Sequence, residues 1–259
     1  IRREYEVVDQ AFDASNLLRM MESLQSGTKK RVNILIVDAC RNNDLPKSWR
    51  STNNGLARMD APAGSFISFA TAPGQVASDG QGRNSPYTKH LLQALKQPGM
   101  PIEQVFKQVR RKVMAETAGE QVPWENSSLV GDFYFTVARL AAAQQEAQLK
   151  PTAPVGPRLS VHAIVIGNGA YQGSGRLDNP INDARAISAK LTGMGFKVTT
   201  VENADRTKLV SSLVKFSASA ADSDLTLFFY AGHGVQISGT NYMLPTDTNL
   251  NQIGGVALH

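Results

Sequence analysis

Two uninterrupted apolar runs stand out in the hydrophobic pattern of the chain. Residues 32–37 and 225–230 are rich in branched and aromatic side chains and lack the polar alternation of a half-exposed strand. Such runs are typical of strands buried on both faces of a parallel sheet. Each run leads directly into polar, chemically active residues. Because open α/β sheets carry their sites at the carboxyl ends of parallel strands, the pattern predicts a site at this edge.

Shorter apolar segments predict the rest of the architecture. Four further strands are expected at residues 65–71, 132–136, 161–166 and 197–202. Helical periodicity predicts helices at residues 6–24, 85–96, 101–117, 182–194 and 207–220. Strands and helices alternate, so the sequence predicts an α/β fold with a mostly parallel, six-stranded sheet.

A proline-rich stretch divides the chain into two halves. Residues 144–160 contain three prolines and a glycine between a predicted helix end and a predicted strand, a composition typical of a linker. The flanking halves, residues 1–143 and 161–259, each supply three predicted strands, which is too few for a stable sheet of their own. We therefore predict a single domain with a composite sheet.

The composition narrows the class of protein. The chain has 259 residues, of which 42% are hydrophobic and 19% charged, as in ordinary globular proteins. It contains no apolar run of the roughly 18–20 residues that a membrane helix needs, and residues 1–6 lack the apolar stretch of a signal peptide. The net charge of +5 includes a basic group on one face of a predicted helix: Lys107, Arg110, Arg111 and Lys112. A solvated helix face explains this group, so we expect neither nucleic acid nor a membrane as partner.

The single cysteine, Cys40, and His233 follow the two buried runs. One cysteine excludes an internal disulfide and an all-cysteine zinc site, and a reduced thiol favours a cytoplasmic location. Adjacent strands would present both side chains at one edge, where the imidazole could take the proton of the thiol. Gly232 and Gly234 would let a backbone N–H face a developing oxyanion. The residues alone leave a second interpretation open, a buried structural thiol and an unrelated loop histidine.

Several segments of the chain resemble one known family. Residues 32–37 followed by Asp38-Ala39-Cys40, and residues 229–235 around His233, resemble the two catalytic motifs of the caspase-like cysteine peptidases, closest to bacterial metacaspase-like members, the orthocaspases. Four other segments are similar to that family's first strand, first helix entry and small-subunit region: residues 161–168, 177–184, 64–80 and 122–135. The resemblance implies a three-layer α/β/α sandwich.

The order of the two motifs is reversed relative to that family. Caspase-like domains run histidine half first, whereas here Cys40 precedes His233. The resemblance therefore implies a circularly permuted chain with residues 144–160 as the new connection, which is physically allowed because domain termini often lie close together. An engineered rearrangement, or two fragments written in one numbering, would give the same order.

The resemblance implies a cysteine endopeptidase that cleaves protein or peptide substrates after Arg or Lys. It makes Cys40 the nucleophile, His233 the general base, and the backbone N–H groups of Gly234 and Cys40 the oxyanion donors. Asp38 and Asp183 match the acids that line the S1 pocket of metacaspase-like enzymes, where a carboxylate can hold a guanidinium group bidentately. For Asp183 a helix N-cap is the alternative interpretation.

Further positions bear on the cleft and on calcium. Ala231 stands where many metacaspases have a serine, and Ser78 and Asp79 lie in a glycine-rich loop that by resemblance flanks the substrate cleft. The other interpretation of that loop is a simple surface turn. Asp247 matches one aspartate of a calcium site, but the neighbouring acidic pair is absent, and Ca²⁺ takes about 6–8 oxygen ligands. We expect no calcium requirement, no bound metal and no cofactor.

Rival interpretations come from other classes of protein. The glycines of residues 167–169 are similar to a dinucleotide-binding loop, but Gln172 stands at the third glycine position and the predicted helix begins too late. His90, His162 and His259 have no partner at metal-ligand spacing. A catalytically silent, caspase-like interaction or regulatory module is the main alternative to a peptidase.

Overall fold

The computed structural model describes residues 10–23, 31–40, 55–135 and 159–250. The strands in this part of the chain are β1 (Phe12–Asp13), β2 (Val32–Cys40), β3 (Ser65–Phe69), β4 (Trp124–Ser127), β5 (Val161–Gly167), β6 (Lys197–Glu202), β7 (Leu225–Ile237) and β8 (Thr240–Met243). The α-helices are α1 (Ala14–Ser23), α2 (Pro86–Ala94), α3 (Ile102–Glu116), α4 (Pro180–Gly193) and α5 (Arg206–Ser219). A 3₁₀ helix spans Gly173–Gly175.

Six strands form the central sheet, in the order β6-β5-β7-β2-β3-β4. The first five in that order run parallel, and β4, at one edge, is antiparallel to β3. The second half of β7 extends beyond this sheet and pairs with β8, which pairs with β1, both antiparallel. The mostly parallel sheet of the prediction is confirmed, and a small antiparallel sheet extends it.

Helices cover both faces of the sheet because the central strands are apolar on both sides. In β2, Ile34 and Ile36 belong to the core formed with α2, α3 and α4, whereas Leu35 and Val37 belong to the core formed with α1 and α5. These four side chains are at most 2% exposed, and fully burying each one contributes about 1.5–3 kcal/mol. The predicted three-layer α/β/α sandwich is confirmed.

The predicted helices occur close to their expected positions, but one predicted strand is wrong. The first helix is shorter than predicted, and residues 6–9 and 24 of that prediction lie outside the described residues. Residue 136 lies outside the described residues, and in place of a strand at residues 132–135 Tyr134 makes one isolated bridge to Pro101. Phe133 and Phe135 pack edge to face beside the core. The edge strand is β4, whose polar, partly exposed sequence Trp-Glu-Asn-Ser carries no strand pattern.

Strand β7 is far longer than the predicted strand of residues 225–230. It continues through His233 to Ile237 because β8 pairs with its second half. Strand β2 likewise runs through Asp38 to Cys40. Both residues of the predicted pair therefore belong to the strands themselves and do not lie beyond the strand ends.

Strands from the two halves of the chain are neighbours in the sheet. Strand β2, from the first half, pairs with β7, from the second, over nine residues, beginning with Val32 opposite Leu225. Residues 144–158 of the predicted linker lie outside the described residues. Within the described part of the chain, the helices are all too short or too polar to cross a membrane.

Candidate active site

The register of β2 and β7 brings Cys40 opposite His233. The pairing runs without interruption from Val32 opposite Leu225 to Cys40 opposite His233. Neighbouring strands lie about 4.8 Å apart, so register partners in a sheet are close neighbours. The backbone thus places Cys40 and His233 at one edge of the sheet, where the sequence predicts them.

The His233 imidazole is held by a backbone carbonyl. His233 is only 2% exposed, and its Nε2 lies 2.6 Å from the carbonyl oxygen of Gly175. Because a carbonyl oxygen can only accept a hydrogen bond, Nε2 donates, so in the neutral ring Nδ1 is the nitrogen that carries the lone pair of a base. Gly175 lies in the loop between β5 and α4. Sequence reasoning missed it, since every residue has a carbonyl and no side chain marks this one.

Two buried aspartates lie beside this pair. Asp38 is two residues before Cys40 in β2, and Asp183 is in the first turn of α4; each is 1% exposed. Asp183 does not cap its helix, since Asn179 is the N-cap residue and the Asp183 carboxylate turns to another segment. The N-cap interpretation of Asp183 is therefore wrong. Its carboxylate is oriented by tertiary contacts.

One short segment at the start of α2 contacts both carboxylates. The Ser85 hydroxyl donates to Oδ2 of Asp38, and the Thr88 hydroxyl donates to the same oxygen at 2.7 Å. The Ser85 backbone N–H donates to Oδ1 of Asp183 at 3.2 Å, and Asn84 Nδ2 donates to that oxygen at 2.7 Å. Ser85, the N-cap residue of α2, thus connects the two acids. Sequence reasoning found the helix start but not this bridge.

Burial raises the pKa of both aspartates. Burial raises the pKa of Asp38 to about 6, against the opposing effect of the hydroxyls of Ser85 and Thr88. Burial, together with the nearby charge of Asp38, raises the pKa of Asp183 to about 8. Neither carboxylate forms an ion pair with a described residue, and Oδ1 of Asp38 is buried without a hydrogen-bond partner there. Among the described residues, these two buried acids therefore have no cationic partner.

Asp79 brings a third carboxylate to the same region. It lies in the loop after β3, and its side chain accepts N–H groups of Asp178 and Asn179 at 3.3 and 3.4 Å. Burial raises the pKa of Asp79, while the proximity of His233 acts in the opposite direction. The adjacent Ser78 is exposed, and its N–H bonds to Oε1 of Gln121. The loop is thus attached to the start of α4 rather than being an isolated turn.

Ala231 and Gly234 occupy tightly packed positions on β7. Ala231 is buried opposite Asp38, and its carbonyl accepts the N–H of Asn168 at 2.8 Å. Gly234 lies opposite Met243 of β8, and a β-carbon there would lie 3.0 Å from Cβ of Ala39. A glycine therefore fits where β7 lies close to β2.

The pairing of β7 with β8 fixes the direction of the Gly234 N–H. Leu244 N donates to His233 O at 3.0 Å, so these two residues face each other in the hydrogen-bonding positions of the ladder. Such pairs alternate with non-bonded ones in antiparallel strands. The N–H of Gly234 therefore points away from β8, to the side on which β2 lies.

The remaining candidate metal ligands are engaged elsewhere. Oδ1 of Asp247 accepts the N–H of Arg206 at the start of α5, and Nε2 of His90 lies 2.7 Å from Glu116 on the surface. Across the described ranges, no three or more His, Cys, Asp or Glu side chains are grouped so as to bind a metal ion. His259 lies outside those ranges.

The fold and this edge of the sheet define a class: an α/β/α sandwich in which a strand cysteine and a strand histidine are register partners. Comparison with known families agrees, since the family model described as the caspase domain matches residues 3–134 and 160–258, most of the chain. The chain belongs to the caspase domain family, a family of cysteine-type peptidases. A search of the curated proteins found no significant match.

Proposed function

We propose that this chain is a cysteine endopeptidase that cleaves peptide bonds after Arg or Lys through a Cys40–His233 dyad. The observation that carries the proposal is the register of β2 and β7, which makes these two residues direct partners at one edge of the sheet. The hydrogen bond from Nε2 of His233 to the Gly175 carbonyl adds a fixed ring orientation.

Each step of the reaction has a group to perform it. Nδ1 of His233 takes the proton of the Cys40 thiol, and the thiolate attacks the carbonyl carbon of the scissile bond. The N–H groups of Gly234 and Cys40 donate to the resulting oxyanion. The imidazolium then gives its proton to the leaving amine. Water, deprotonated by the same imidazole, hydrolyses the thioester and regenerates the thiol.

The acids next to the dyad support a preference for a basic residue before the scissile bond. Asp38 and Asp183, with Asp79 beside them, have raised pKa values because burial opposes their charge. A guanidinium or ammonium group beside Asp38 and Asp183 would supply a positive charge that no described residue provides, and would favour their ionised form. An aspartate side chain in the same position would add a further like charge.

We infer further that the domain is a circular permutant of the metacaspase-like arrangement, with residues 144–160 as the connection between the halves. The pairing of β2 with β7 supports this inference, because the cysteine half and the histidine half build one sheet although their order along the chain is reversed.

Hydrolysis of a matched panel of fluorogenic peptides ending in Arg, Lys or Asp tests the proposal. We expect cleavage after Arg and Lys that is lost in Cys40→Ala and is independent of added Ca²⁺. Cleavage after Asp alone would keep the peptidase and overturn the roles of Asp38 and Asp183. No cleavage, combined with iodoacetamide labelling of Cys40 only after denaturation, would favour the silent interaction module.

A further inference from the structure

Two buried tyrosines, Tyr171 and Tyr230, surround the backbone of His233. Tyr171 lies in the loop between β5 and α4, and Tyr230 lies in β7, three residues before the histidine. Their exposed fractions are 4% and 0%, and their hydroxyl oxygens are 3.1 Å apart. Neither residue has a part in the reaction described above. Below, these two residues are called the tyrosine pair.

The Tyr171 hydroxyl bridges a position in the β7–β8 ladder where one direct backbone hydrogen bond is missing. His233 and Leu244 face each other there, and Leu244 N donates directly to His233 O at 3.0 Å. The reciprocal bond is bridged instead: His233 N donates to the Tyr171 hydroxyl at 3.1 Å, and that hydroxyl donates to Leu244 O at 2.9 Å. Strand β5 ends at Gly167, opposite Ala231, so it offers no partner for the His233 N–H. The Tyr171 hydroxyl therefore serves as the hydrogen-bond partner that a neighbouring strand would otherwise provide for the His233 N–H.

The Tyr230 hydroxyl contacts the backbone carbonyl of the same residue. It lies 2.8 Å from His233 O and 2.9 Å from Leu244 O, both of which can only accept. Burial raises the pKa of Tyr230 well above its ordinary value, so its proton is retained throughout the physiological range. Both backbone polar groups of His233 are therefore bonded to the tyrosine pair.

The glycine before the histidine is explained by the same two hydroxyls. Gly232 has φ of 155°, and a β-carbon on it would lie 2.7 Å from the Tyr230 hydroxyl and 2.9 Å from the Tyr171 hydroxyl. These distances are closer than van der Waals contact permits. The tyrosine pair thus occupies the space that a side chain at position 232 would need.

Tyr171 also contacts the imidazole itself. The ring centroids of Tyr171 and His233 are 4.5 Å apart with the planes tilted by 56°. The loop that contains Tyr171 also contains Gly175, whose carbonyl accepts from Nε2. One loop thus fixes the histidine through its backbone N–H, its ring face and its distal nitrogen.

We propose that Tyr171 and Tyr230 are positioning residues for His233, whose hydroxyls lock its backbone into the β7–β8 ladder so that the imidazole keeps Nε2 on Gly175 and Nδ1 toward the Cys40 edge. This inference rests on the proposed dyad. It adds two residues that never touch the substrate but determine how well the base is placed.

Phenylalanine substitutions separate the hydroxyls from the rings. Tyr171→Phe and Tyr230→Phe are compared with a control variant, Tyr242→Phe. Tyr242 lies on β8, opposite Asp13 and Val235, and belongs to the neighbouring apolar cluster. Kinetics on an Arg peptide would give kcat and KM. The pH profile of Cys40 alkylation by iodoacetamide reports the thiolate without requiring turnover. Circular dichroism would verify that each variant is folded.

We expect kcat to fall between about tenfold and 100-fold in both tyrosine-pair variants, with KM within about twofold of the wild-type value. Their alkylation profile should move toward pH 8.5, about the ordinary pKa of a thiol, because a misplaced imidazole no longer stabilises the thiolate. Tyr242→Phe should match the wild-type protein in both measurements. Tyr171→Leu, which also loses the ring, should be more impaired than Tyr171→Phe.

The outcomes distinguish this inference from the proposed function. Wild-type cleavage together with unchanged kcat and alkylation profiles in folded Tyr171→Phe and Tyr230→Phe would overturn the positioning role alone. If the wild-type protein cleaves nothing but its alkylation profile shifts in these variants, the peptidase proposal fails and the positioning role stands. Should Tyr230→Phe not fold, Tyr171→Phe decides the question, because it removes the bridge in the ladder and leaves β7 unaltered.

Discussion

The acids of this protein fall into two groups with opposite electrostatics. On the surface, Glu116 accepts hydrogen bonds from Lys89, and Glu202 accepts two from Arg185; these contacts lower the pKa of both glutamates. At the carboxyl edge of the sheet, burial raises the pKa of Asp38 to about 6 and of Asp183 to about 8. The surface glutamates already have their cations, whereas the donors to the buried aspartates from the described residues are hydroxyl and amide groups.

This difference between surface and buried acids indicates which of them would gain the most binding free energy from a cationic ligand. A surface ion pair gains little because water solvates each partner equally well when they are apart. Ionising a buried carboxylate without a cationic partner is unfavourable, because the charge is removed from water. A cation that binds it forms a strong, charge-assisted hydrogen bond. In the part of the chain that the structure describes, the surface glutamates are thus paired with cations, and the two aspartates beside the candidate dyad are not.

The largest expected effect comes from neutralising a buried acid. Asp183→Asn and Asp38→Asn should each lower kcat/KM for Arg and Lys peptides by about 100-fold or more, because losing one partner of a buried charge pair typically costs 2–5 kcal/mol. Glu202→Gln, the matched surface control, should change kcat/KM by less than about twofold. Unaltered Arg selectivity in both buried variants would show that the acids do not bind the substrate cation.

The second expected effect is a pH dependence of cation binding. The raised pKa values of Asp38 and Asp183 mean that both acids hold protons at low pH and must lose them to pair with a guanidinium. The affinity for benzamidine should therefore rise as the pH increases from about 6 to about 8. Calorimetric titration measures this without involving the dyad. A flat profile in the wild-type protein, or an unchanged rise in Asp183→Asn, would contradict the assignment.

The third effect concerns stability and has opposite signs in the two groups. An acid whose pKa is raised by folding binds more protons in the folded state, so its contribution to the free energy of unfolding falls as the pH rises from about 4 to its folded pKa, about 6 for Asp38 and about 8 for Asp183. Glu116 and Glu202, with lowered pKa values, lose their contribution as the pH falls.

Urea unfolding across this range measures the balance of the two groups. Each proton should contribute a slope of up to about 1.4 kcal/mol per pH unit. In Asp183→Asn the decline between pH 4 and pH 8 should become shallower, and in Glu202→Gln it should persist. A slope that does not respond to Asp183→Asn would mean that this side chain does not bind the proton.

The smallest expected effect comes from the segment that connects the two acids. Ser85→Ala removes a hydroxyl that donates to Asp38 and accepts the N–H of Thr88 as a helix cap. We expect a loss of about 1 kcal/mol in the free energy of unfolding from the cap and a several-fold rise in KM for Arg peptides. Thr88→Val, which removes one bond to Asp38 and no cap, should raise KM without the full loss of stability. Equal KM values in all three proteins would show that these hydroxyls serve stability alone.

Much of this architecture was readable from local patterns. Apolar runs located β2 and β7, helical periodicity located the five α-helices of the described residues, and the residues at the ends of the runs pointed to one edge of the sheet. Strands β4 and β8 were missed because they are short and largely polar. A strand at a sheet edge or in a hairpin can form without the regular spacing of apolar residues by which strands are predicted. The same hairpin is why β7 extends past His233.

The sequence by itself determined the α/β class, the two buried strands and the positions of Cys40 and His233 after them, because strand burial and strand ends leave a local signature; the register that makes the two residues neighbours came from the structure. Only the tertiary structure decided that the Gly175 carbonyl holds the imidazole, that Ser85 connects Asp38 to Asp183, and that the Tyr171 hydroxyl bridges the N–H of His233 to strand β8. Those contacts join segments distant in the chain. They depend on backbone groups and on folded geometry, which no residue pattern records.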